Sequence, residues 1–188
     1  MAETVEQVIE EAERKMKLSV EAVEREMAGV RTGRASPALL ESVRVEYYGS
    51  QLPINQVATV SVPEPRLIVV APWDANALPA IERAILTSDL GLTPQNDGKV
   101  IRLQVPPLTE ERRKELVRLV GRMAEDGRVA IRNLRRDANE KLEKMEKAGT
   151  ISEDERDQGK KRVQELTDKY VEQVDAVLER KTEEIMEQ

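Results

Sequence analysis

The chain has 188 residues, of which 39 % are hydrophobic, 35 % charged and only 2 % aromatic, with 36 acids against 30 bases and a formal net charge of −6. It contains neither cysteine nor histidine, which excludes thiol nucleophiles, disulfides, zinc-finger ligation and histidine acid–base chemistry. No apolar run approaches the roughly 18 residues of a membrane span, and the acidic, amphipathic start MAETVEQVIEEAERK is unlike a secretory or transit signal. The expectation is a soluble cytoplasmic protein of long, charge-rich helices packed on narrow apolar seams.

A first helix is predicted from Val5, Ile9, Ala12, Met16, Val20, Val23, Met27 and Val30, which recur at steps of three and four and make one apolar stripe. Thr4 and Gln7 form a capping box at its start. RTGRASP (31–37) follows, where Gly33 can take backbone angles closed to other residues. The pattern then changes to short β-branched runs broken by proline and glycine: VRVEYYG (43–49), VATVSVPEP (57–65), RLIVVAP (66–72) and VIRLQVPP (100–107). In the second run Val57, Thr59 and Ser61 alternate with Ala58, Val60 and Val62, the period of a half-buried strand. NALPAIERAILTSDLG (76–91) reads as one helix with Leu78, Ile81 and Ile85 inside, and QNDGK (95–99) as a plain turn without a phosphate-binding context.

From Thr109 to Ala148 a second long helix is predicted, roughly 60 Å at 1.5 Å per residue. Its seam is Leu116, Val120, Met123, Gly127, Ala130, Leu134, Ala138, Leu142 and Met145. AGTISEDE then stops and restarts the chain: Gly149 suits a left-handed C-terminal cap, and Ser152 with Glu155 caps the next helix. That last helix uses Val163, Leu166, Tyr170, Val174, Val177 and Ile185, with Gly159 weakening its first turns by about 1 kcal/mol. None of the three stripes can bury itself alone. They predict a long antiparallel three-helix bundle from residues 1–31 and 106–188, with residues 32–105 inserted as a small, β-rich α/β domain. The fold class is α+β with two domains, and the expected hinge is Arg31, Thr32 and Gly33 on one crossing with Val105, Pro106 and Pro107 on the other.

The second long helix holds the sharpest charge anomaly. Between residues 112 and 136, nine bases face three acids, a local +6 in an acidic chain. On a wheel of 100° per residue with Arg113 at zero, Lys114, Arg118, Arg122, Arg128, Arg132, Arg135 and Arg136 fall between about 40° and 180°, and the apolar seam between about 240° and 20°. A solvated helix face paired with its neighbours would account for such a run. Against that, nearly every base is arginine, whose planar fork suits phosphate, and few acids sit one turn away. The acidic remainder of the chain would also steer a polyanion onto this face. The stripe lacks the aromatics of single-strand readers, and Asn133 alone offers an adenine-reading amide, so recognition of folded RNA through phosphates and shape fits best.

The segments RTGRASPALL (31–40), VEYYG (45–49), SDLGL (88–92), PPLTEERRKELV (106–117) and RVAIRNLRRDAN (128–139) closely resemble the bacterial ribosome recycling factor family, in the same order over essentially the whole chain. The resemblance implies an L-shaped molecule of tRNA-like outline, a bundle with an α/β domain hinged on it. It implies a non-enzymatic factor that binds the post-termination ribosome and, with elongation factor G and GTP hydrolysis by that factor, splits it into subunits. The implied partners are large-subunit rRNA and elongation factor G, with no cofactor, metal, membrane or small-molecule substrate, and the factor acts as a monomer. By motif, the family's RNA-contacting arginines match Arg113, Arg132, Arg135 and Arg136, with Arg31 and Arg34 as companions near the hinge. The alternative is a helical RNA-binding scaffold or chaperone that splits nothing.

Elsewhere the chemistry is bland. The acids of TEERR and SEDE sit at helix starts, where they complement the dipole. Trp73 is expected in the core or at the rim of the small domain, and of Tyr47 and Tyr48 one should pack and one be exposed.

Overall fold

A computed structural model describes residues 3–187. Among them, helices α1 (Val5–Ala28), α3 (Glu110–Lys147) and α4 (Glu153–Met186) belong to one compact unit. Thr32–Thr109 make the second unit, which holds six strands and α2 (Leu78–Leu86). This is a two-domain α+β fold.

The bundle forms because each helix has one apolar stripe and a defined start. Thr4 Oγ1 accepts from Gln7 N at 3.2 Å while Thr4 N donates to Gln7 Oε1 at 2.9 Å, so the capping box of α1 is complete. At α4 only half of one forms: Ser152 Oγ accepts from Glu155 N at 3.1 Å, and the Glu155 carboxylate bonds the hydroxyl instead of the backbone. Gly149, at φ 76°, ends α3 with the paired bonds Gly149 N to Glu146 O and Thr150 N to Met145 O, both 2.9 Å. Lys141 pairs with Glu3 at 3.5 Å, and Arg162 pairs with Glu6. These contacts set the start of α1 beside the end of α3 and the start of α4, so α3 runs antiparallel to both.

The seam of α3 differs from the expected one. Leu116, Val120, Ala124, Gly127, Ile131, Ala138 and Leu142 are buried, whereas Met123, Ala130, Leu134 and Met145 are half-buried. With neighbours on two sides, the deepest positions are those that point between α1 and α4. Leu134 lies off this line and opens onto a groove between α1 and α3 with Val8 and Ala12. Two bundle glycines, Gly127 and Gly159, are close-approach sites. A Cβ on Gly127 would stand 2.5 Å from Val23 Cγ2, and one on Gly159 would stand 3.0 Å from Leu142 Cδ1. Gly159 therefore gives up helix propensity in exchange for packing.

In the second unit, β1 (Arg44–Tyr47) and β2 (Ser50–Pro53) form a hairpin. β3 (Ala58–Glu64), β4 (Leu67–Pro72), β5 (Pro94–Asn96) and β6 (Ile101–Gln104) form an antiparallel sheet in the order β3-β4-β6-β5. Val45, Ile54, Ile68, Val70, Ile81, Ile85, Ile101 and Leu103 pack together as its core. Polar β2 and β5 carry no β-branched pattern and escape a reading by sequence; their partners hold them. α2 is shorter than the predicted 76–91. Thr87 Oγ1 bonds Arg83 O at 3.0 Å and Ser88 Oγ bonds Ile85 O at 2.6 Å, so two hydroxyls take up the last carbonyls and stop the helix.

Tyr48 (φ 49°) and Gly49 (φ 79°) turn the hairpin, leaving Tyr48 79 % exposed and Tyr47 half-buried. Trp73 sits at the rim, with its indole Nε1 donating to Thr59 Oγ1 at 2.8 Å. Tyr47 Oη donates to Asp74 Oδ2 at 2.9 Å. That bond, with the nearby carboxylate, pushes the phenol up to about 12. Asp74 is held low, first by the backbone N–H of Asn76 and then by Tyr47. The raised phenol contributes stability that is complete below the ordinary tyrosine range and fades as pH climbs toward about 12. The lowered carboxyl contributes above its ordinary range and fades in acid. Asp74→Ala is expected to bring one tyrosine titration down toward its ordinary value, read from phenolate absorbance against pH; an unchanged curve would refute the link.

Candidate nucleic-acid interface

The site is built on α3, a helix of 38 residues. Glu110 and Glu111 lie in its first turn and Lys144 and Lys147 in its last, each with the favourable sign for the helix dipole. Packing against α1 and α4 fixes which side faces solvent. Arg118, Arg122, Arg132 and Arg136 are exposed on that side. Among the described residues, Arg118, Arg122 and Arg136 have no salt bridge. Arg132 shares Glu125, with Nη1 3.2 Å from Oε1.

The remaining arginines on the wheel lie nearer the bundle than a solvent-facing stripe implies. Arg128, whose side chain is only 18 % exposed, gives Nε and Nη2 to Asp175 Oδ1 of α4, both at 2.7 Å, and Nη1 to Glu125 Oε2 at 3.0 Å. Desolvation acts to lower its pKa and is outweighed by the bonds to Asp175 and Glu125, leaving it raised. Half-buried Arg135 gives Nη1 to Gln164 Oε1 of α4 at 3.3 Å. Both residues fall at the α4 edge of the wheel, where the neighbouring helix covers them. Arg113 is half-buried, with its Nε sealed from solvent and without a hydrogen-bond partner. Lys114 pairs with Glu110 at 3.3 Å. Glu125 is held below the ordinary carboxylate range, chiefly by the bond from Arg128 and also by that from Arg132.

At the crossings, exposed Arg31 ends its part of the bundle unit. Thr32 is buried, Gly33 has φ 77° and Arg34 is half-buried, all in the second unit. On the return path Val105 N donates to Arg66 O at 2.8 Å, which keeps buried Val105 tied to the sheet side, while Pro106 and Pro107 are exposed. The second unit extends to Thr109.

A family model described as ribosome recycling factor matches residues 23–186 of this chain. The chain belongs to the ribosome recycling factor family.

The ribosome-recycling factor of Carboxydothermus hydrogenoformans is 56 % identical over 182 residues, covering 97 % of this chain and 98 % of that protein. That of Geobacillus kaustophilus is 55 % identical over 181 residues, covering 96 % and 98 %. A solution structure of the ribosome recycling factor matches with a TM-score of 0.73 at 49 % identity, over 100 % of both chains. A structure of the T. thermophilus ribosome recycling factor, placed with E. coli elongation factor G on the E. coli post-termination complex, matches with a TM-score of 0.63 at 50 % identity, over 97 % of this chain and 99 % of that one. The matched residues 23–186 include the whole arginine face. Arg118 and Arg122 lay on the predicted stripe but not among the residues matched by family motif. Neither has a salt bridge among the described residues, whereas Arg128 and Arg135 are engaged by α4, a difference that cannot be read from one helix alone.

Proposed function

We propose that this ribosome recycling factor grips large-subunit rRNA through the outward face of α3, with Arg118, Arg122, Arg132 and Arg136 on RNA phosphates and Arg113 and Arg135 at the margins. Its function is that of its family, ribosome recycling, and it is not an enzyme. The observation that carries the interface is a face of exposed arginines of which Arg118, Arg122 and Arg136 make no salt bridge among the described residues, in a chain of net charge −6. A solvated face would be expected to pair its bases internally, as α4 does when Arg156 meets Glu146, Glu153 and Asp157.

On this reading the bundle docks as a monomer on the post-termination ribosome in the cytoplasm. Elongation factor G, hydrolysing GTP, pushes the second unit about the crossings Arg31–Thr32–Gly33 and Val105–Pro106–Pro107, with Arg31 and Arg34 as RNA companions there. The T. thermophilus relative placed with that factor supports the partnership. Light scattering of post-termination ribosomes with this protein, elongation factor G and GTP is expected to fall as subunits separate; constant scattering would favour an RNA-binding scaffold. Gly33 has φ 77°, which proline, locked near −65°, cannot adopt. Gly33→Pro is therefore expected to leave subunit binding in place and slow the fall in scattering. A folded Gly33→Pro variant that splits at the parent rate would remove the hinge.

A further inference from the structure

The arginine face carries an acid at its centre, and the bundle holds it there. We propose that Glu125 is a built-in competitor for Arg132 that weakens RNA binding and hastens the factor's release. The proposal rests on reading this face as the RNA-binding surface.

Glu125 stands between two arms of the face. Arg118 and Arg122 lie before it without ion pairs among the described residues, and Arg132 and Arg136 lie after it. Arg122 and Arg132 are ten residues apart, about 15 Å along the helix, so an RNA strand that engages both arms passes over Glu125. The carboxylate divides its oxygens, Oε2 to Arg128 and Oε1 to Arg132, at 3.0 and 3.2 Å. Arg128 cannot follow a phosphate outward, because Asp175 of α4 holds two of its nitrogens at 2.7 Å. It is therefore a positioning residue: clamped from behind, it keeps Glu125 on the face and so keeps a negative charge at Arg132. Arg132, exposed and bound to Glu125 by one oxygen, is the member of the network that can change partner.

Two consequences follow when RNA arrives. A phosphate that takes Nη1 of Arg132 displaces Glu125, and one that takes its other nitrogens stands beside the carboxylate's charge; either way the cost is subtracted from the gain. The released carboxylate then recruits a cation, cancelling part of the counterion release that drives phosphate binding. A factor that must leave after each round gains a faster exit from such a competitor.

The test measures affinity, dissociation rate and salt dependence on isolated large ribosomal subunits for the parent, Glu125→Gln, Arg132→Ala and the double variant, alongside melting curves. Glu125→Gln is expected to bind about fivefold tighter at low salt, mostly through slower dissociation. Its salt slope should steepen by up to about one unit. In the Arg132→Ala background that gain should largely vanish. An Arg132→Ala variant that binds like the parent would overturn the RNA-binding reading of the face itself. If Arg132→Ala weakens binding but Glu125→Gln leaves affinity, dissociation and slope unchanged, or weakens binding, the competitor is refuted and the face stands. A gain that persists in full without Arg132 would also refute it, because Glu125 would then act as plain repulsion.

Discussion

Arg132→Ala combined with Arg136→Ala is expected to cut affinity for the large ribosomal subunit by roughly a hundredfold while changing stability by well under about 1 kcal/mol. Both side chains are exposed, on the side of α3 that neither α1 nor α4 covers. Neither fills the core, so little folding energy is at stake. Each guanidinium that bonds a phosphate contributes about 1.5–3 kcal/mol as a charge-assisted hydrogen bond, and its loss lowers the salt-dependence slope by somewhat under one unit. The net loss is smaller than twice that range, because Glu125 competes with phosphate for Arg132. Lys161→Ala with Arg180→Ala on α4 supplies the control: both residues are exposed, and the pair should shift binding only slightly. Subunit affinity at several salt concentrations, with a melting curve for each variant, decides the matter. Parent-like affinity with a parent-like slope would reduce the stripe to a solvated face.

Two glycine-to-alanine changes in the same helix are expected to move stability in opposite directions. Gly121→Ala adds a methyl with nothing within 4 Å, so the helix propensity of alanine, about 0.8–1 kcal/mol over glycine, should appear almost in full as stabilisation. Gly127→Ala gains the same propensity, but its methyl would lie 2.5 Å from Val23 Cγ2. Val23 is itself buried between helices, 4 % exposed, and β-branched, so it has few rotamers to escape into. Overpacking of this kind costs about 1–3 kcal/mol, enough to offset the propensity and leave a net loss. Gly127→Val enlarges the clash and loses the propensity advantage, for a total of about 3 kcal/mol or more. Val23→Ala should relieve part of the Gly127→Ala penalty, a coupling that a double-mutant cycle on helical melting would measure. Stabilisation by Gly127→Ala would mean that α1 and α3 do not approach as closely as the structure shows.

Where local chemistry decides an element, one chain was enough to read it. The apolar steps of three and four placed α1, α3 and α4, because a helix fixes its faces by geometry alone. Thr4 with Gln7, Ser152, and Gly149 marked helix ends, because capping is satisfied by residues within one turn. The concentration of arginine against an acidic background was likewise legible, since charge and helical period are both properties of the sequence. Partners distant in the chain decided the rest. β2 and β5 are strands only because β1 and β6 offer them hydrogen bonds, and α2 stops early because Thr87 and Ser88 find its last carbonyls. Gly127 and Gly159 look like flaws in a helix until Val23 and Leu142 occupy the space that a side chain would need. The arginine face was resolved in the same way: α4 brings Asp175 to Arg128 and Gln164 to Arg135, whereas Arg118, Arg122 and Arg136 have no salt bridge among the described residues. The composition of α3 was set by the sequence, but which of its charges remain available to another molecule was set by the helix that packs beside it, because an ion pair depends on distance in space and not on distance along the chain.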